Sequence, residues 1–122
     1  MILDVDHFKH INDSWGHATG DAVLVEVAQR LRTTVRESDM VLRWGGEEFL
    51  VYSPRAHPLH LEGLAQRLLE AVGGTSIVVG GQSIAVTVTA GFIALPYSHI
   101  PETLCNWEKA LQIADMALYL GR

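Results

Sequence analysis

Cysteine is almost absent from this chain: of 122 residues only one, Cys105, carries a thiol. An internal disulfide framework is therefore excluded, and the composition suits a reducing compartment. Long apolar runs are also missing, since none approaches the ~18 residues that a membrane span needs. Met1-Ile2-Leu3 runs straight into Asp4, which is not a signal-peptide pattern. The expectation is a cytoplasmic domain, with membrane tethering of a longer protein left open. Basic residues are scarce too. Nine Lys and Arg against 14 Asp and Glu leave a net charge of −5, which argues against a broad DNA or RNA footprint. Any phosphate bound here has to be held locally, by a few cations or a metal. What remains is 48% hydrophobic and 19% charged, the balance of one globular domain with a real core.

Hydrophobic spacing divides the chain into alternating elements. Met1 to Val5 reads as a strand that meets Asp4 and Asp6 at its end. His7 to Asp13 has short helical spacing, and Ser14-Trp15-Gly16-His17 breaks it. Asp21 to Val35 reads as a long amphipathic helix with its stripe at Leu24, Val27, Ala28 and Leu31, capped by Thr19 or Asp21. Met40-Val41-Leu42 and Phe49 to Tyr52 flank Gly45-Gly46 as a hairpin. A loop from Pro54 to Pro58 precedes a helix from Leu59 to Val72 that Gly73-Gly74 ends. Ile77-Val78-Val79 and Ser83 to Ile93 form a second hairpin about Gly80-Gly81, and Leu104 to Leu120 closes the chain as a helix after the Pro96 to Pro101 loop. The order β-α-α-β-β-α-β-β-α predicts an α/β or α+β sandwich with a central, mainly antiparallel sheet flanked by helices.

Chemistry concentrates at a few places. Gly45-Gly46-Glu47-Glu48 combines a tight turn, a floor without side chains and two carboxylates, which suits a metal-bound nucleotide as well as an ordinary hairpin. Asp4 interrupts an apolar strand where Mg²⁺, a hard cation with oxygen ligands, can sit, and Asp6 serves equally as a metal ligand or a helix cap. Lys9 is placed for a phosphate or for solvent. Asn12 and Asp21 flank a glycine-containing turn, where a carboxamide and a carboxylate together can read a guanine edge. His7, His10 and His17 lack cysteine partners and the spacing of a zinc site. Arg36 and Asp39, three apart, can clamp a phosphate and a base edge, or simply end a helix. Arg67 alone is a solvated charge, and Trp15, Trp44 and Trp107 read as packing residues.

Taken in order, these motifs resemble the GGDEF domain, the diguanylate cyclase family. The matching stretches are Asp4 to Asp13, Gly16-His17 with Gly20-Asp21, Arg36 to Asp39, Arg43 to Phe49 in the Gly-Gly-Glu-Glu-Phe form, and Ala114 to Tyr119. The resemblance spans nearly the whole chain. It implies a palm-like sheet, conversion of two GTP into cyclic di-GMP, and an antiparallel homodimer. It further implies Mg²⁺ or Mn²⁺ held by Asp4, the Val5 carbonyl and Glu47, with Glu47 activating the 3′-hydroxyl and Glu48 paired with Lys9 or helping to hold metal. Phe8, Lys9 and Arg122 would serve the phosphates, Asn12 and Asp21 the guanine, and Gly45-Gly46 would admit the nucleotide. Arg36, Asp39 and Arg67 match an inhibitory site for the product, which can also cross-link subunits.

Two departures accompany the match. The chain opens at the first motif strand, without the family's preceding helix, and ends at Gly121-Arg122 where a Lys is usual. It therefore reads as one domain, 1–122, trimmed at both ends and attached in the full-length protein to sensory or regulatory domains. A cyclic di-GMP-binding module without turnover is the alternative reading.

Overall fold

Strand β1, Ile2–Val5, is buried along its whole length, and the rest of the fold is arranged around it. The computed structural model describes residues 1–53 and 58–91. The helix expected over 104–120, the 96–101 loop, Trp107 and Arg122 lie outside the described residues, as does most of the Pro54–Pro58 loop.

After β1 come α1 (Phe8–Trp15), α2 (His17–Thr34), β2 (Met40–Gly45), β3 (Glu48–Tyr52), a 3₁₀ turn (Pro58–His60) and α3 (Leu61–Gly73). Strands β4 (Ile77–Val79), β5 (Gln82–Ile84) and β6 (Val88–Gly91) follow. The main sheet has the order β2-β3-β1-β6 and every pairing in it is antiparallel. This is the α+β arrangement with a central antiparallel sheet that the hydrophobic spacing predicted.

Alternation along the strands sends one set of side chains to the core. Leu3 and Val5 of β1, Phe49 and Val51 of β3 and Val88 of β6 meet Val23, Leu24, Val27 and Leu31 of α2 and Leu64, Leu68 and Val72 of α3. Arg30 fastens the two helices at their rim. Its guanidinium donates to the carbonyls of Val72 (2.8 Å), Thr75 (2.6 Å) and Ser76 (3.1 Å), and to Glu26 Oε1 (3.1 Å).

Local chemistry moved several boundaries. Helix α2 starts at His17, four residues before Asp21, with Gly16 as its N-cap and no side-chain capping bond, so neither Thr19 nor Asp21 caps it. The stretch expected as one strand from Ser83 to Ile93 is two, in different sheets. β5 pairs with β4, and β6 pairs with β1. The β2–β3 loop is Gly46-Glu47, one residue later than Gly45-Gly46, because Gly45 pairs with Glu48 and an irregularity between Arg43 and Gly45 shifts the register. Trp15 and Trp44 are 43% and 52% exposed and do not pack into the core.

Candidate functional site

The two carboxylates of Asp4 and Glu48 belong to residues that face each other across β1 and β3. Directly paired residues of an antiparallel ladder project to the same face, with Cβ atoms ~4.5–5.5 Å apart. Leu3 and Val5 take the core side, so Asp4 takes the opposite side, where it is nevertheless only 4% exposed. Two carboxylates at directly paired positions can both offer oxygens to a hard cation on that face. The Val5 N–H donates to the Glu47 carbonyl at 3.1 Å, which ties the end of β1 to the loop that carries Glu47. Asp4, Val5, Glu47 and Glu48 thus come together at one end of the sheet.

That loop is held from a side the sequence did not advertise. Gly46 has φ +35°, and a methyl built on Gly45 or Gly46 would meet nothing within 4 Å, so the loop is open to a ligand. Arg43 spans it, donating from Nε (3.1 Å) and Nη2 (2.8 Å) to the Gly46 carbonyl. A forked pair of bonds to one oxygen replaces the restraint that glycine side chains cannot give. Nothing in the sequence pattern distinguishes this arginine from a solvated one.

On the other side of β1, the chain turns into α1 through His7, whose φ of 55° and ψ of 34° are left-handed. Among the described residues it is the one non-glycine with positive φ. No side chain caps α1, so its first-turn amides are unclaimed by any cap and favour an anion. Phe8 and Lys9 occupy that turn, and Lys9 is exposed without an ion pair among the described residues. Asp6 is not the cap of this helix. Its carboxylate accepts from Thr87 Oγ1 at 2.8 Å and Thr89 Oγ1 at 2.6 Å.

Helices α1 and α2 meet at Gly20. A methyl group there would overlap Asn12 Oδ1 and come within 3.2 Å of Phe8 Cζ. Glycine in the interior of a helix is otherwise unfavourable by ~1 kcal/mol, so its use here marks close packing. Asn12 Oδ1 is buried and accepts no hydrogen bond among the described residues. An acceptor in that state costs ~1–3 kcal/mol, which suits a group that awaits a donor. Asp21, next after Gly20, is exposed at the same helix junction.

Arg36 and Asp39 form a separate feature before β2. The Asp39 N–H donates to the Arg36 carbonyl (2.9 Å), and the Arg36 N–H donates to Asp39 Oδ2 (2.9 Å). The acid closes the turn, while the exposed Arg36 guanidinium has no partner among the described residues. Arg67 is exposed on α3, and no hydrogen bond or ion pair joins it to Arg36 or Asp39.

The family profile described as diguanylate cyclase, GGDEF domain, matches residues 1–122. The chain belongs to the GGDEF family. Diguanylate cyclase DosC of Escherichia coli is 38% identical over 123 residues, covering all of this chain and 25% of DosC. The crystal structure of the GGDEF domain of TpbB from Pseudomonas aeruginosa superposes with a TM-score of 0.83 at 36% identity, covering 98% of this chain and 71% of that one. The GGDEF domain of DgcB from Caulobacter crescentus, solved in complex with c-di-GMP, gives 0.82 at 29% identity, covering 98% and 68%. The chain thus spans about a quarter of the length of DosC. Among the described residues, no helix is long and apolar enough to cross a membrane.

Proposed function

We propose that this GGDEF domain is the catalytic part of a diguanylate cyclase, joining two GTP molecules into cyclic di-GMP. The observation that carries the reading is the pairing of Asp4 with Glu48 beside the open Gly46-Glu47 loop. The donor set there is all oxygen: two flanking carboxylates, the Glu47 carboxylate and the Val5 carbonyl. It fits Mg²⁺ or Mn²⁺, hard cations that take oxygen ligands and keep positions for substrate phosphates. Asp4, Val5 and Glu47 would hold the ion, which when bound neutralises charge on the attacking and leaving oxygens.

The remaining work falls to the chain. Asn12 and Asp21 bind the guanine edge through a carbonyl oxygen and a carboxylate. The uncapped first turn of α1, with Lys9, holds the triphosphate. Gly45 and Gly46 let the nucleotide approach the backbone, and Glu47 takes the proton of the 3′-hydroxyl. In each of two steps a 3′-oxygen bonds to an α-phosphorus, the bond to the bridging oxygen breaks and pyrophosphate leaves. Each domain supplies one GTP, so the reaction requires an antiparallel pair of domains. Arg36, Asp39 and Arg67 form the inhibitory product site, and segments outside this chain supply sensory or regulatory control of a cytoplasmic or membrane-tethered protein. DgcB, whose domain was solved with c-di-GMP, supports product binding within the family.

A second reading is product binding without turnover. It is favoured by the Arg36–Asp39 turn, which is closed by its own hydrogen bonds and does not depend on Glu47. Incubation with GTP and Mg²⁺ followed by chromatography separates the two. Cyclic di-GMP and pyrophosphate in a 1:2 ratio support the cyclase, and unchanged GTP with retained cyclic di-GMP binding supports the module.

A further inference from the structure

The second acid of the Asp4-Val5-Asp6 stretch is the least expected element of the site. By sequence it is a metal ligand or a helix cap, and in the structure it is neither bonded to the helix nor free. Each carboxylate oxygen of Asp6 accepts from a threonine hydroxyl, Oδ2 from Thr87 and Oδ1 from Thr89. The Asp6 N–H donates to the Thr87 carbonyl at 2.9 Å. Three bonds therefore pin one residue to the chain entering β6, 81 to 83 positions away.

The next residue explains why such a clasp is needed. His7 is in the left-handed region, where an L side chain crowds the backbone, and such a conformation persists only when its surroundings enforce it. Asp6 is pinned on one side of His7. On the other side Phe8 is wedged at the α1–α2 contact near Gly20. With both neighbours fixed, His7 turns the chain so that α1 begins at Phe8 with its amides uncapped.

We propose that Asp6, bound by Thr87 and Thr89, is the positioning residue of the β1–α1 turn and hence of the triphosphate subsite, and is not a metal ligand. The inference rests on reading the α1 N-terminus as that subsite. One hydroxyl on each Asp6 oxygen aims the carboxylate at β6 and fixes its orientation without a cation. Thr89 also pairs with Asp4 across β1–β6, so the clasp joins the turn to the strand position that carries the metal-site acid.

The test compares Thr87→Val/Thr89→Val with Thr87→Ser/Thr89→Ser and Asp6→Asn in the whole chain. Calorimetry uses guanosine and GTP thio-substituted at the α-phosphate. The valine pair is expected to lose about tenfold in affinity for the triphosphate, the equivalent of one lost hydrogen-bond contribution. Guanosine affinity stays within about twofold, because Asn12 and Asp21 are untouched, and the serine pair restores the triphosphate. Asp6→Asn is expected to keep Mn²⁺ affinity, read by paramagnetic resonance, within about threefold. Equal losses of guanosine and triphosphate, or loss of Mn²⁺ binding in Asp6→Asn, would overturn the proposal. In the ligand-free protein, the His7 Cα chemical shift should move away from its left-handed value in the valine pair, and an unchanged shift also overturns it. Should the wild type bind the triphosphate no better than guanosine, the subsite reading falls, and the His7 shift still decides the clasp.

Discussion

Asn12 Oδ1 occupies the space that a methyl group on Gly20 would fill. The contact fixes the angle between α1 and α2 and sets a candidate guanine reader at their junction. Gly20→Ala opposes two effects. Alanine favours the helix by ~1 kcal/mol, and overpacking at a buried contact costs ~1–3 kcal/mol. Overpacking should win, because Gly20 is buried and the neighbouring Phe8 limits how Asn12 can retreat. The expected outcome is a net loss of up to ~2 kcal/mol in urea unfolding, together with weakened preference for GTP over ATP. Unchanged selectivity in a folded variant would detach Asn12 from guanine recognition.

Arg30 makes a prediction about stability alone. Its bonds to the Val72, Thr75 and Ser76 carbonyls join α2 to the end of α3. Its ion pair with Glu26 matters less, since Glu26 is 40% exposed and solvent screens the interaction. Arg30→Met keeps much of the apolar stem and removes the donors, so chemical denaturation should show a loss of ~2–4 kcal/mol. Lysine should rescue only part of it, having no planar fork to meet three carbonyls. Nucleotide binding per folded molecule should not change.

Much of this was legible in the sequence, and the failures have physical causes. The strand that carries Asp4 and the presence of a hairpin around Gly46 are encoded by local patterns of apolar residues and glycine, so they were readable, though the turn falls one residue later than expected. The start of α2 was not, because His17-Ala18-Thr19-Gly20 carries no apolar stripe and a helical glycine looks like a break. The division of Ser83 to Ile93 between two sheets depends on tertiary pairing, which β-branched composition does not encode. Arg30, Arg43 and the Asp6 threonines act through contacts that are long-range or take an unremarkable surface residue. Asp39 reads from sequence as a ligand group or a turn residue, and in the structure its carboxylate closes that turn.

Arg43 separates the loop from the strand. Removing its forked bonds to the Gly46 carbonyl in Arg43→Ala should loosen the loop that carries Glu47. The Mg²⁺ concentration needed for half-maximal turnover should rise several-fold, while cyclic di-GMP affinity at Arg36 holds. A fall in both would place Arg43 in general stability.

At the product site, backbone closure by Asp39 makes two substitutions unequal. Asp39→Asn keeps an oxygen to accept from the Arg36 N–H, and Asp39→Ala does not. Calorimetry with cyclic di-GMP should show a larger loss for alanine than for asparagine. Arg36→Ala should weaken binding and relieve product inhibition, and unchanged affinity would remove Arg36 from the site.

The central claim is that the Gly46-Glu47 loop, beside the Asp4–Glu48 pair, is where two GTP molecules become cyclic di-GMP. Its most direct measurement compares wild type and Glu47→Gln, incubated with GTP and Mg²⁺, with product formation followed by chromatography and cyclic di-GMP affinity by calorimetry. Glu47→Gln should make no product and bind cyclic di-GMP as the wild type does. Product formed at the wild-type rate by Glu47→Gln would contradict the claim.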